Sequence, residues 1–220
     1  MFVYIALSRF GRRPKFTDLP EDIHHDIKAF FGNYKQACDA ADQLLFSLGQ
    51  PGVIAASCKG SALGKFVGNA LYIHVSALES LSPLLRVYEG CASRTFGRLE
   101  EATIIKLRAD QPKVSYLSYP DFDADPHPAL HSSLKADLQS LHVEYRDYAN
   151  SDNPPVLHRK ETFVTTDYPL YQKFARLTQQ EERWGLLEDA HSIGTRNGWL
   201  TRLQEKQVLV KGHRLVRISK

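Results

Sequence analysis

The chain has 220 residues, 43% of them hydrophobic, which is length and apolar content enough for a packed core in one large domain or two small ones. Its apolar runs fall short of the roughly 18 residues that a membrane span needs, so no membrane partner is expected. Net charge is only +3, but it is uneven: residues 1–99 carry 11 Lys+Arg against 8 Asp+Glu, residues 100–155 carry 5 against 10, and residues 156–220 carry 12 against 7.

Residues 2–8 are rich in β-branched and aromatic side chains and read as a short strand, not a signal peptide, because no basic residue precedes them and no small-residue cleavage pattern follows. Arg9, Arg12, Arg13 and Lys15 then form a loop that is either a solvated linker or a phosphate contact. Pro20, Glu21 and Asp22 mark a helix start, Ile23, Ile27, Phe30 and Phe31 its apolar face, and Gly32 its end. Asn33 can cap a second helix, in which Ala37, Cys38, Ala41, Leu44, Leu45 and Leu48 follow the helical period until Gly49 and Pro51. The pair has the outline of a helix-turn-helix but no basic recognition face. Residues 60–65 (GSALGK) approach a phosphate loop, yet are one residue too short and lack Ser or Thr after the lysine, so a turn is expected. Residues 71–74 read as a brief strand. Ser76 and Glu79 have capping-box spacing, and Pro83 opens a helix that runs to Gly97. Cys38, Cys58 and Cys91 are odd in number and widely spaced. They argue for buried thiols in a reducing cytoplasm, against a disulfide framework or zinc knuckle.

The pattern then changes period. Residues 102–107 and 114–119 read as strands, and 134–148 as a third, half-buried antiparallel strand. Asp167 can cap a helix over 168–187, with Tyr171, Phe174, Leu177 and Trp184 inward and residues 179–183 in water. A short helix and a hairpin over 208–218 close the chain. The expected class is α+β: a mainly helical region over 1–98, then a small antiparallel sheet flanked by helices over 99–220.

Candidate chemistry gathers in two proline-bounded loops, 120–128 (PDFDADPHP) and 151–163 (SDNPPVLHRKETF). Asp121, Asp123 and Asp125 alternate as in the first half of a calcium loop, but Pro126 takes the glycine position and Ser132 the position of the bidentate Glu. A magnesium ion on one or two of these carboxylates remains open, as does neutralisation by Arg159 or Lys160. Asp121, Asp123 and His158 would be the catalytic set of a metal-dependent phosphodiesterase. The usual acid-x-lysine on the next strand is missing: Lys135 and Asp137 run in reverse, and Arg146 follows Glu144. Arg159, Lys160, Arg196 and Arg214 are candidate phosphate contacts, and Trp199 a base-stacking platform or a core anchor. Because the middle third is acidic, the two loops are expected to meet on one edge and offset each other there.

Residues 113–130 (KVSYLSYPDFDADPHPAL) resemble a segment of the methyltransferase family associated with DNA phosphorothioation. So do residues 26–32, 84–91, 151–163, 173–178, 193–199 and 212–217, which together span nearly the whole chain. The resemblance implies bacterial DNA modification and defence, of the restriction-modification kind, with DNA and a methyltransferase subunit as partners. Family members are longer, and their methyltransferase portion precedes the region matched here. The glycine-rich loop that would cradle S-adenosylmethionine is absent, so no cofactor-binding residue is carried over, and the methyl donor belongs to a partner or another domain. The functions expected are therefore an accessory nucleic-acid- or partner-binding module, the phosphodiesterase above, or a structural scaffold.

Overall fold

Residues 2–8 are helical, not extended: α1 (Phe2–Leu7) runs into a 3-10 turn at Ser8–Phe10. Their composition suits a strand, but Ile5 and Ala6 pack with Leu19, Ile27, Ala37, Ala41 and Val87 in a core made by helices, and that packing overrides a weak local preference. The computed structural model describes residues 1–218. As the capping signals require, α2 (Glu21–Phe31) has Glu21 and Asp22 in its first turn and ends at Gly32 with φ +75°. α3 (Tyr34–Ser47) is capped by Asn33, whose side chain accepts from the Gln36 N–H at 2.9 Å. α4 (Val53–Lys59) follows. The expected capping box at Ser76 and Glu79 does not form. The His74 side chain accepts from the Ser76 N–H instead, at 3.1 Å, and residues 75–80 make a 3-10 turn. α5 (Pro83–Phe96) opens on its proline and stops at Gly97. It crosses α1 closely: a Cβ built on Gly90 would lie 2.3 Å from Cδ1 of Leu7, so any larger residue there would force the Leu7 side chain to move.

Six strands form one antiparallel meander in sequence order: β1 (Lys65–Val67), β2 (Ala70–His74), β3 (Ile104–Arg108), β4 (Lys113–Ser118), β5 (Ser132–Asp137) and β6 (His142–Asp147). The single strand expected over 134–148 is thus a hairpin. Asp137 Oδ1 accepts from the N–H groups of Gln139 and Ser140, and Leu141 takes φ +53°, which reverses the chain. Because β2 pairs with β3, the sheet continues across residue 98. One face buries Leu71, Ile73, Ile105, Leu107, Val114 and Tyr116 against Leu85, Tyr88 and Ala92 of α5. The C-terminal part adds α6 (Tyr171–Arg183), α7 (Arg196–Glu205) and a two-stranded ribbon of β7 (Val208–Val210) and β8 (Leu215–Arg217). The class is α+β, with helices gathered toward the N-terminus. Among the described residues no helix is long and apolar enough to cross a membrane.

One buried charge ties α5 to the sheet. Glu89 is 1% exposed and accepts from Arg98 Nε and Nη2, both at 2.6 Å, and from Tyr116 Oη at 2.9 Å. Removing the cation strands a carboxylate in the core, which costs more than a surface ion pair is worth. Arg98→Ala is expected to lower unfolding free energy by about 2–3 kcal/mol in chemical denaturation, with Arg98→Lys intermediate because lysine lacks the two-pronged donor.

Candidate functional site

The two proline-bounded loops do meet. The Leu157 N–H donates to Pro128 O and the Leu130 N–H to Pro155 O, at 3.1 and 2.8 Å. Lys160 locks them together: Nζ, in a side chain only 2% exposed, donates to Phe122 O at 2.5 Å and Asp125 O at 2.6 Å. The same ammonium lies 4.1 Å from the centre of the Phe174 ring and 5.3 Å from that of Phe122. Burial pulls its pKa down to about 8, with Asp125 and Asp123 opposing.

Behind Lys160 is a buried polar centre that unites distant parts of the chain. His127 Nε2 and Glu181 Oε1 are 2.6 Å apart, with both side chains almost wholly enclosed. Burial pushes the Glu181 carboxyl up to about 7, against the pull of His158, Arg159 and Lys160, and pushes the His127 ring down to about 3. Both shifts favour an uncharged pair that shares one proton. The His127 ring lies 4.3 Å from Trp199 and 4.9 Å from His158. His158 Nε2–H donates to Ile193 O at 2.8 Å, which leaves a buried Nδ1 with no partner among the described residues. Lys160 Nζ also reaches His213 Nε2 at 3.4 Å, and His213 stacks on Phe174. The centre opens to a cleft of about 350 Å³ between the acidic loop, α7 and the β7–β8 ribbon. Gly198 fixes α7 there: a Cβ would fall 1.8 Å from Ser192 O, so α7 could not seat Trp199 with any other residue at that position.

The sequence candidates are redistributed by these contacts. Lys160 and Trp199 are not surface contacts for phosphate or base, because one is spent on internal carbonyls and the other is 5% exposed beside two histidines. Arg159 does not neutralise the acidic loop; it adopts φ +57° and pairs with Glu182. Asp121, Asp123 and Asp125 are exposed. Asp123 Oδ1 accepts from Tyr168 Oη and Asp125 Oδ1 from the His127 N–H, each at 2.9 Å. Among the described residues they form no metal-holding group, and no hydrogen bond joins Asp121 or Asp123 to His158. Arg196 and Arg214 are exposed. The charged neighbours of Glu181 point to water, yet Phe174, Leu177, Thr178 and Glu181 share one stripe at i, i+3, i+4 and i+7 and all four are buried. That spacing is the signal in the sequence that marks Glu181 as an inward residue.

The sheet face turned away from α5 is a second feature: its Ile104 and Leu117 pack in the C-terminal core, and the rest of it is open. Across all six strands one row runs Lys65, Tyr72, Lys106, Ser115, Lys135, Glu144. Side chains alternate faces, so Arg108, Lys113 and Arg146 share this side. All five Lys/Arg of residues 100–155 therefore project from one face, although that segment is acidic overall. Asp110, Asp137 and Glu144 pair with Arg108, Lys113, Lys135 and Arg146, and Lys106 lies over the Tyr72 ring at 5.1 Å. A cleft of about 320 Å³, flanked by Tyr72, Tyr148, Lys106, Lys135 and Arg146, opens here.

Four histidines kept neutral by burial make the fold acid-sensitive: His127 at about 3, and His74, His158 and His213 at about 4, each largely through desolvation. Their folded pKa values lie below the unfolded one, so the unfolded chain takes up protons first. Their contribution is complete above about pH 6.5 and is lost as pH falls toward 4. Glu181, raised to about 7, acts the other way but is one group against four. The urea midpoint is expected to fall steeply from neutral pH to about pH 5, and His158→Gln to flatten that profile.

Compared with protein-family models, curated proteins and solved structures, the chain finds no match in any of the three.

Proposed function

We propose that this chain is an accessory nucleic-acid-binding module of a bacterial DNA-modification and defence assembly, and that it holds a strand on the open face of its sheet. The observation that carries the reading is the sorting of charge by strand register: Lys106, Arg108, Lys113, Lys135 and Arg146 all stand on one face, beside Tyr72. A phosphate backbone draws on cations along its path, and Lys106 and Lys135 lie two strands apart in the row, about 10 Å, with Ser115 between them. Unpaired bases need flat rings, which Tyr72 and Tyr148 supply at the cleft. Three carboxylates on that face hold the cations in place and keep the surface moderately, not strongly, basic.

The biological setting comes from the resemblance to the phosphorothioation-associated methyltransferase family. On that reading the chain works in the cytoplasm with a methyltransferase subunit that brings its own S-adenosylmethionine, and Arg196 and Arg214 extend the contact surface. A magnesium-dependent phosphodiesterase built on Asp121, Asp123 and His158 has less support, because no contact assembles the three.

Fluorescence anisotropy with labelled single- and double-stranded oligonucleotides across a salt series tests the proposal. The logarithm of affinity is expected to fall linearly with the logarithm of salt, and Lys106→Ala with Lys135→Ala to reduce that slope by about 1–2. Tyr72→Ala is expected to cost about 1–3 kcal/mol with single strands. Arg159→Ala, whose cation is tied to Glu182, leaves the slope unchanged. Absent binding, or a slope indifferent to Lys106 and Lys135, would favour a scaffold instead.

A further inference from the structure

The cleft over the His127–Glu181 pair lies apart from the open sheet face and shares only Arg196 with the nucleic-acid reading. Its walls are apolar, from Trp199, Leu200 and Leu203 on α7 and Leu209 and Val210 on the ribbon. Its polar groups are few and converge: His127 in the floor, and Arg196 and Asp125 at the rim. Arg196 is exposed and takes part in no ion pair among the described residues. Asp125 is partly engaged, since its Oδ1 accepts from the His127 N–H. An apolar pocket of this size with a handful of convergent polar groups is what small ligands occupy. We propose that the cleft binds a small organic anion with an aromatic or branched apolar body, its anionic group held between the Arg196 guanidinium and His127 Nδ1.

The dyad decides the sign of that contact. Nε2 of His127 is committed to Glu181 at 2.6 Å, so Nδ1 is the ring nitrogen left for a ligand. While the pair holds its proton, the Glu181 carboxyl O–H donates to Nε2, and a neutral imidazole that accepts there carries its own proton on Nδ1. Nδ1–H then donates to an anion. When the pair loses a proton, that proton leaves from Nδ1 and the Glu181 proton crosses to Nε2. Nε2–H now donates to the carboxylate, and Nδ1 turns a lone pair toward the cleft, which repels an anion. Burial raises Glu181 to about 7, so the change falls near neutrality. The other charged or titratable groups around the pair are Asp125 on the acidic loop, His158, Arg159, Lys160 and Glu161 on the second loop, Lys173 and Glu182 on α6, His213 on the ribbon and Arg196 on α7; burial raises the Glu161 carboxyl as well, and Thr178 on α6 donates to it. Of those with a displaced pKa, Lys160, at about 8, also titrates nearby, and the loss of its charge would weaken an anion in the same direction.

Calorimetric titration with benzoate separates these causes, because benzoate keeps its charge between about pH 6 and about pH 8. Affinity is expected to drop about tenfold between those values, as one proton with a pKa near 7 requires. Glu181→Gln should remove the drop, since the amide N–H donates to Nε2 at both pH values, which leaves Nδ1 in one state throughout. Arg196→Gln should weaken binding about tenfold throughout. Phenyl phosphate forms a second arm; binding of either anion supports the site, and the tighter of the two names the headgroup. The proposal is overturned if neither binds, if benzyl alcohol binds as well as benzoate, or if Glu181→Gln keeps the tenfold drop, which would assign it to Lys160 or Glu161. Should Glu181→Gln fail to fold, nitrogen NMR of the His127 ring in the unaltered protein answers the same question: Nδ1 must pass from protonated to bare near pH 7, and a ring that keeps one tautomer through that range overturns the proposal.

Discussion

An ammonium held away from water organises the C-terminal half of this protein. Lys160 loses its hydration and regains two carbonyl hydrogen bonds and an aromatic face, each charge-assisted bond being worth on the order of 1.5–3 kcal/mol. The carbonyls belong to Phe122 and Asp125, so the contact fixes the path of the acidic loop and not merely its charge. With that path fixed, Phe122 enters a core with Phe163, Phe174 and Ile104, and His127 turns inward onto Glu181. The loop is held because a cation from elsewhere in the chain satisfies its backbone.

The buried centre and the open sheet face divide the titratable chemistry between them. On the sheet, charges are partly exposed and paired in small networks on one face, which suits a long polyanion. In the centre, His127, His158, His213 and Glu181 are enclosed by aromatic rings, and desolvation suppresses their charges. Groups of the second kind respond to single protons, and groups of the first kind to ionic strength. The two sites can therefore be perturbed independently, although β2 borders both through Tyr72 and His74.

Much of the fold was legible. Helix ends at Gly32, Asn33, Pro83 and Gly97 fall where local capping chemistry puts them, because a cap depends on residues within a few positions of itself. Strands β2, β3 and β4 follow from β-branched and aromatic runs. The errors lie where a neighbour decides. Residues 2–7 are helical because α2, α3 and α5 supply the surface they pack on. Residues 134–148 alternate well enough for one long strand, but a turn held by Asp137 divides them.

The sequence alone determined the α+β class and the ends of α2, α3 and α5, and pointed to the adjacency of two proline-bounded loops, one acidic and one without net charge. The class and the helix ends follow from hydrophobic period and local steric limits, whereas the loops are joined by backbone contacts and not by the charge offset expected of them. Only the tertiary structure decided that Lys160 is an internal clamp, that Glu181 faces a histidine instead of water, and that the cations of an acidic segment line up on one face. Each of these depends on which residue lies opposite, often tens of positions away in the chain. Pairing register and burial are set by the whole core at once, and no local stretch of sequence contains them.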